Sequence, residues 1–399
     1  MADRMQASGH DFADSIKKGV AQLRSTRSQL LKREAKSKTV RLEAAAMARK
    51  NNERLRAVDI EAWYEDVKQH TFRTLFVPIE QTEARAIMKA HELGKNGIGG
   101  GDSEQRETDE VKVAKKQHEI LLCKLKERIA KAMKSFTPKS MSSSPSSTPQ
   151  TGEVHVFTKL SSRSPKDSTM CRARALELVK AKLTAARKSG AKIDSNTVKV
   201  AIMASTIESL RLKSADEVLE CFITSNRVCE DDLPLALRYP KSWSQHIILR
   251  EWVDISPESE LRAFVMDSKL TALCQYYNGA FFPKLSLKDN REKALSIVRK
   301  FFNEVKGRIK VEPPEYSMDL AVDLEKGKAY VIELNPFGRP DGMGTGTALF
   351  NNKNPEDLKV LFGERPFEFR VEEAPPKEDC RLQIKGPLKS WLEEQQMMG

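Results

Sequence analysis

The chain has no run of apolar residues approaching the ~18 that a membrane span needs, and Met1 to Val20 mixes acidic and basic side chains without an apolar segment. A membrane protein and a secretory leader are both disfavoured. The six cysteines never form Cys-x-x-Cys. That argues against a zinc ribbon or a disulfide framework and for reduced thiols in the cytoplasm. The glycine-rich stretch Gly94–Gly101 lacks a Gly-Lys-Ser/Thr ending and a preceding strand, so it reads as a surface loop rather than a phosphate cradle. Aromatic residues are scarce at 7%, but 39% hydrophobic residues in a 399-residue chain still provide a core, with flexible segments besides.

Positive charge is present in excess and unevenly placed. The formal net charge is +12, and residues 1–56 hold 14 Lys and Arg against 6 Asp and Glu. The basic character therefore belongs mainly to an N-terminal extension, not to the folded body after it. Over residues 12–56 the absence of proline and the apolar positions Ile16, Val20, Leu23, Leu30 and Leu31 suggest a long helical or partly disordered arm. It is either a solvated helix or a site for RNA or an acidic partner. The remainder, 57–399, reads as one folded body with flexible segments at about 94–110 and at the Ser/Pro-rich 135–152.

Beyond that linker the pattern predicts strands at 154–159, 247–253, 261–266, 270–276, 318–322 and 329–334. Helices are expected at 172–188, 198–212, 215–222 and 289–309. Helices and strands mix without a repeating βαβ unit, which argues for an α+β protein. The last two strands carry the sharpest signal. Apolar residues at 318, 320 and 322 alternate with Asp319 and Asp323, and Tyr330, Ile332 and Leu334 alternate with Glu333 and Asn335. A three-residue loop at Glu325-Lys326-Gly327 would set Asp319 opposite Glu333, with Asn335 on the same face. Facing carboxylates repel, and Mg²⁺ would neutralise them through hard oxygen ligands. The plainer alternative is a solvated polar face on an edge hairpin.

Other residues suit an anionic ligand. Lys159 ends a strand before the turn Ser161–Asp167, whose hydroxyls and N–H groups, at Ser161 and Ser164 especially, can meet phosphate. The strand end Arg250-Glu251-Trp252-Val253 offers backbone groups and a flat ring to an adenine edge. Arg262 alternates with Leu261 and Phe264 and can bind phosphate bidentately. A surface ion pair remains the ordinary alternative for each basic residue.

These stretches together resemble the cell division cycle protein 123 (D123-like) family. The resemblance runs in order through Trp63-Tyr64, Thr71–Ile79, Val156–Asp167, Leu212–Asp216, Leu249–Trp252, Glu260–Val265 and Ile332–Gly338. It implies an ATP-grasp-like, two-lobed fold with mixed or antiparallel sheets behind the N-terminal helical extension. It implies ATP as ligand, with Lys159, Ser161, Ser164, Asp167, Arg250, Glu251, Trp252, Val253 and Arg262 around the nucleotide. Mg²⁺ would be held by Asp319, Glu333 and Asn335. It also implies a chaperone that binds the gamma subunit of eukaryotic translation initiation factor two and promotes assembly of its trimer. The other activity open to such a fold is a ligase-type enzyme that forms an acyl-phosphate on a carboxylate substrate.

Overall fold

The structure is a computed structural model that describes residues 53–54, 56–96, 109–136, 153–161, 163–338, 346–377 and 379–397. Contacts divide the chain into two compact units, Met1–Leu55 and Arg56–Gly399. The basic arm expected over 12–56 and most of the two segments expected to be flexible, at 94–110 and 135–152, lie outside the described residues.

Two sheets organise the second unit. The smaller has three antiparallel strands, β1 (Thr74–Pro78), β2 (Val156–Leu160) and β3 (His246–Glu251), in the order β1-β3-β2. The larger contains β4 (Glu260–Met266), β5 (Lys269–Gln275), β6 (Tyr316–Asp323), β7 (Lys328–Pro336) and β8 (Glu368–Arg370). Its order is β7-β6-β4-β5-β8, antiparallel except at the β5–β8 edge. This is the α+β arrangement of helices and mixed sheets expected from the sequence.

Strand alternation decides which face of the large sheet is apolar. Leu261, Ala263 and Val265 of β4, Leu273 of β5, Met318 and Leu320 of β6 and Leu334 of β7 are all buried in one core. Val298, Phe301, Phe302 and Val305 of the helix Lys288–Val305 fill that core, as do Trp63 and Val67 of the helix Ile60–Val67. The opposite face divides in two. Phe264, Cys274 and Ala272 are roofed by Phe337, Phe350 and Leu361, whereas Glu260, Arg262, Asp319, Glu333 and Asn335 occupy the rest.

The small sheet packs its apolar side, Val156, Leu160, Ile247 and Leu249, against a helical layer. That layer comprises Gln81–Asn96, Asp109–Lys134 and Ala215–Ile223, whose Phe222 is fully buried. The helix expected over 198–212 ends at Glu208. Leu212 instead exchanges two backbone hydrogen bonds with Val156, of 2.8 and 2.9 Å. An open strand edge needs partners for its N–H and C=O groups, and this demand outweighs one more helical turn.

The β6–β7 hairpin shows how register is set. Its loop is one residue longer than expected, because the ladder closes at Asp323 with Lys328. From there to Leu320 with Val331 the pairing is shifted by one from the expected register. A bulge then absorbs Ile332, and Asp319 pairs with Glu333 and Ser317 with Asn335. Gly327 takes φ +65° in the loop, with open space around it. Gly327→Ala is expected to cost about 1 kcal/mol from left-handed strain alone, read as a shift in the urea midpoint with an unchanged slope.

Candidate functional site

The polar half of the large sheet faces the small sheet, and several side chains join the two. Arg250 of β3 is almost fully buried. It donates from Nη1 to the Ile332 carbonyl, from Nη2 to Thr71 Oγ1 at 2.7 Å and to the Val331 carbonyl at 3.4 Å. Its guanidinium also lies 5.2 Å from the Phe72 ring centroid. Thr71 Oγ1 in turn donates to Val331 at 2.6 Å. Burial pulls the Arg250 pKa down to about 10, partly offset by Glu333, so the side chain remains a cation at neutral pH. The bulge at Ile332 is what presents the carbonyl that Arg250 grips.

Next to this clamp lies a slot of about 90 Å³ between the sheets. Phe72, Phe157, Leu210, Trp252, Val253 and Tyr277 form its apolar walls, and Lys166, Arg250, Glu260 and Glu333 form its charged end. Pockets that enclose a small ligand run to ~300–1,000 Å³, so a ligand with a bulky tail must extend from the slot or part its walls. The backbone N–H groups of Glu251 and Trp252 donate to the Arg73 and His155 carbonyls at 2.9 and 3.2 Å. Val253 is 42% exposed and makes no hydrogen bond among the described residues. Of the three, Val253 has the backbone group able to meet the polar edge of a flat ring.

The charged end carries its own compensation. Arg262 and Asp319, 7% and 4% exposed, form a bidentate pair with N–O distances of 2.7 and 2.8 Å. Arg262 also donates to the Gly346 carbonyl and stacks 4.7 Å from the Tyr276 ring centroid. Burial opposes the Arg262 charge, and the adjacent Asp319 carboxylate more than restores it, raising the pKa above the usual range. Asn335 Nδ2 donates to Asp319 Oδ2 at 3.0 Å. Lys159, buried at the end of β2, sits 3.8 Å from Glu333. Lys166 is exposed, and its ammonium lies 5.9 Å from the Tyr276 ring centroid. Burial there opposes the charge, and Tyr276, Glu333, Glu260 and Asp319 raise the pKa above the ordinary lysine value.

These contacts define the surroundings of the residues expected at the metal. Asp319 faces Glu333, and Arg262, Lys159 and Lys166 act on the two carboxylates. Both Asp319 oxygens are occupied, and Asn335 presents its N–H to Asp319. Among the described residues no group of three or more His, Cys, Asp or Glu is arranged to hold a metal ion. Glu333, partly exposed and not in tight contact with Lys159, is the carboxylate placed to take a cation, together with oxygens supplied by a ligand. Arg262 points into the cleft but is committed to Asp319.

The turn after β2 is also redistributed. Ser161 Oγ donates to Glu61 at 2.5 Å and accepts from the His246 N–H. Asp167 accepts from Ser225 Oγ at 2.5 Å and from the Arg227 N–H at 3.0 Å. Both brace the turn against its neighbours instead of facing the slot, and Ser164 is buried beside them. The turn contributes Lys166 to the slot, a residue the sequence reading passed over in favour of the hydroxyls. Glu260 was missed as well, although its spacing of two from Arg262 on one strand places both on one face. Tyr277 Oη donates to Glu260 at 3.2 Å, and burial raises the Glu260 pKa to about 7, with Lys166 opposing the rise.

With this geometry in view, the class is an α+β protein whose two sheets face each other across a slot with a basic end. Residues 195–377 match the D123 family model. The translation initiation factor eIF2 assembly protein of Schizosaccharomyces pombe is 28% identical over 184 residues, covering 42% of this chain and 54% of that protein. Cell division cycle protein 123 of Phaeosphaeria nodorum is 29% identical over 133 residues, or 32% of each. The eIF2 assembly protein of Xenopus laevis is 29% identical over 132 residues, covering 32% and 36%. The chain thus spans about half or less of these relatives. A solved structure of Cdc123 from S. pombe aligns over 80% of this chain and 96% of that one, at 20% identity and a TM-score of 0.48. No helix among the described residues is long and apolar enough to cross a membrane.

Two outcomes test the electrostatics. Asp319→Ala is expected to cost about 3–5 kcal/mol by stranding the buried Arg262 charge, and Arg262→Met in the same chain should recover most of that loss in urea unfolding. Glu260 holds its proton in the folded state up to about pH 7, against an ordinary 4.5. Its contribution to stability is therefore greatest below pH 4.5 and falls as pH rises to 7, by on the order of 2–3 kcal/mol. Glu260→Gln is expected to flatten that part of the pH–stability curve.

Proposed function

We propose that the slot binds ATP together with Mg²⁺ in an ATP-grasp-like manner, and that the protein is an assembly factor for translation initiation factor eIF2. The observation that carries the nucleotide reading is the excess of cations. Lys166 and Arg250 line the charged end of the slot with Glu260 and Glu333, Lys159 lies 3.8 Å from Glu333, Arg262 is paired with Asp319, and burial raises the Glu260 pKa to about 7. Such a site is short of negative charge, and a polyphosphate supplies it. The apolar slot takes the base, with the Val253 backbone at its edge. The lysines take the phosphates. Glu333 shares a magnesium ion with phosphate oxygens, and Asn335 can join it only by turning its amide away from Asp319. ATP bound this way would fix the spacing of the two sheets and so order a surface for a protein partner.

The partner reading rests on the printed names of the relatives, and its finer form is that the gamma subunit is bound. Lysine-to-phosphate contacts between charged groups are worth ~1.5–3 kcal/mol each. Lys166→Met is therefore expected to weaken Mg-ATP binding by roughly ten- to a hundredfold in calorimetric titration. Glu333→Gln should remove the magnesium dependence while leaving weak ATP binding. Absence of any heat with the unaltered chain at millimolar Mg-ATP would overturn the nucleotide reading. Failure of the chain to retain recombinant gamma subunit, with and without Mg-ATP, would overturn the partner reading.

A further inference from the structure

Behind the turn that carries Lys166, two cysteines meet. Cys171 lies in the first turn of the helix Thr169–Lys188, where its N–H donates to Ser168 Oγ at 3.4 Å. Cys221 lies in the last turn of the helix Ala215–Ile223. Their sulfurs are 3.4 Å apart, although the residues are fifty positions apart in sequence. From this juxtaposition we propose that Cys171 and Cys221 form a peroxide-oxidisable dithiol, a modification site in which Cys171 is the attacking thiol and Cys221 the resolving one.

The assignment of roles comes from position. A helix N-terminus favours a thiolate and a C-terminus disfavours one. The hydrogen bond between the two thiols lowers the Cys171 pKa and, with burial, raises that of Cys221. The pair is held in place by neighbouring contacts. Ser168 Oγ and Thr224 Oγ1 are 2.7 Å apart, the Thr169 N–H donates to the Thr224 carbonyl at 3.3 Å, and Arg174 pairs with Glu217 at 2.7 Å. Both thiols are buried, but Thr169, beside them at the helix start, is exposed, so a small oxidant needs only a local opening of that first turn. Cys229 and Cys274 are unlike this pair, since burial pushes each of their thiols up to about 12. Cys123 is exposed, and no neighbouring thiol pairs with it among the described residues.

The chemistry closes with hydrogen peroxide as oxidant. The Cys171 thiolate attacks one peroxide oxygen, the O–O bond breaks, and the departing hydroxide takes up a proton to become water. Cys171 is now a sulfenic acid. The Cys221 sulfur attacks it, the S–O bond breaks, and the hydroxyl leaves as water with the Cys221 proton. Two thiols are oxidised to one disulfide as one peroxide is reduced to two waters.

The test uses the full chain carrying Cys123→Ser, treated with hydrogen peroxide and mapped by non-reducing peptide mass spectrometry. The expected product is a 171–221 disulfide, lighter by two hydrogens and returned to two thiols by dithiothreitol. Adding Cys221→Ser should halt the reaction at a Cys171 sulfenic acid that dimedone captures, while Cys171→Ser should leave Cys221 unlabelled. The proposal is overturned if both thiols in the unsubstituted pair remain alkylatable after peroxide, or if dimedone marks Cys221 instead. The peptide map of the unsubstituted pair needs neither variant to fold.

Discussion

The buried pair of Arg262 and Asp319 is the constraint to which the rest of the cleft is fitted. Removing an ion pair from water is costly unless each charge finds a close and well-aligned partner. Here the partners are neighbours across β4 and β6, with Asn335, Gly346 and Tyr276 completing the shell. Because Asp319 is paired closely with Arg262, it acts on Lys166 only from a greater distance. Glu333 lies 3.8 Å from Lys159, Glu333 and Glu260 both act on Lys166, and burial raises the Glu260 pKa to about 7. The balance leaves the cleft a basic potential, with Lys159, Lys166, Arg250 and Arg262 set against Glu260, Asp319 and Glu333.

That potential depends on backbone geometry some distance away. If the β6–β7 pairing ran without a bulge from its loop, Asp319 would face Ile332, and Glu333 would turn toward the apolar core. The extra residue absorbed at Ile332 restores the register and projects the carbonyl that receives Arg250. One irregularity thus sets the facing acids and fastens the small sheet to the large one. The clamp, made of Arg250, Thr71 and Phe72, joins the two sheets, and Arg250 and Phe72 also line the slot.

Much of this was legible in the sequence because it rests on period-two alternation. The six strands expected from apolar patterning are all present, and the pairing of Asp319 with Glu333 was readable even though the hairpin loop was taken one residue short. The loop length and the bulge cancel, which no alternation can reveal. Other features left no periodic trace. The three-residue β8 is too short to alternate, and the edge pairing of Leu212 with Val156 depends on what is left open by the fold. The bracing contacts of Ser161 and Asp167 leave no periodic trace for a related reason. A Ser-rich turn looks the same in sequence whether its hydroxyls face a ligand or brace a neighbouring segment, and only Glu61 and Ser225, distant in sequence, decide between the two.

The charge balance also bears on how the site is divided along the chain. The segment matched by the D123 family model, 195–377, contains Arg250, Glu260, Arg262, Asp319, Glu333 and Asn335. Lys159 and Lys166 lie before it. On its own, that segment gives the cleft two arginines, Arg250 and Arg262, against Glu260, Asp319 and Glu333, with Arg262 spent on Asp319 and Arg250 on backbone carbonyls. It would have little reason to attract an anion. The strand β2 and the turn after it supply the two cations that turn a structurally satisfied sheet face into a basic cleft. The basic charge of the cleft is therefore a property of both sheets together, and whatever changes the placement of β2 changes it.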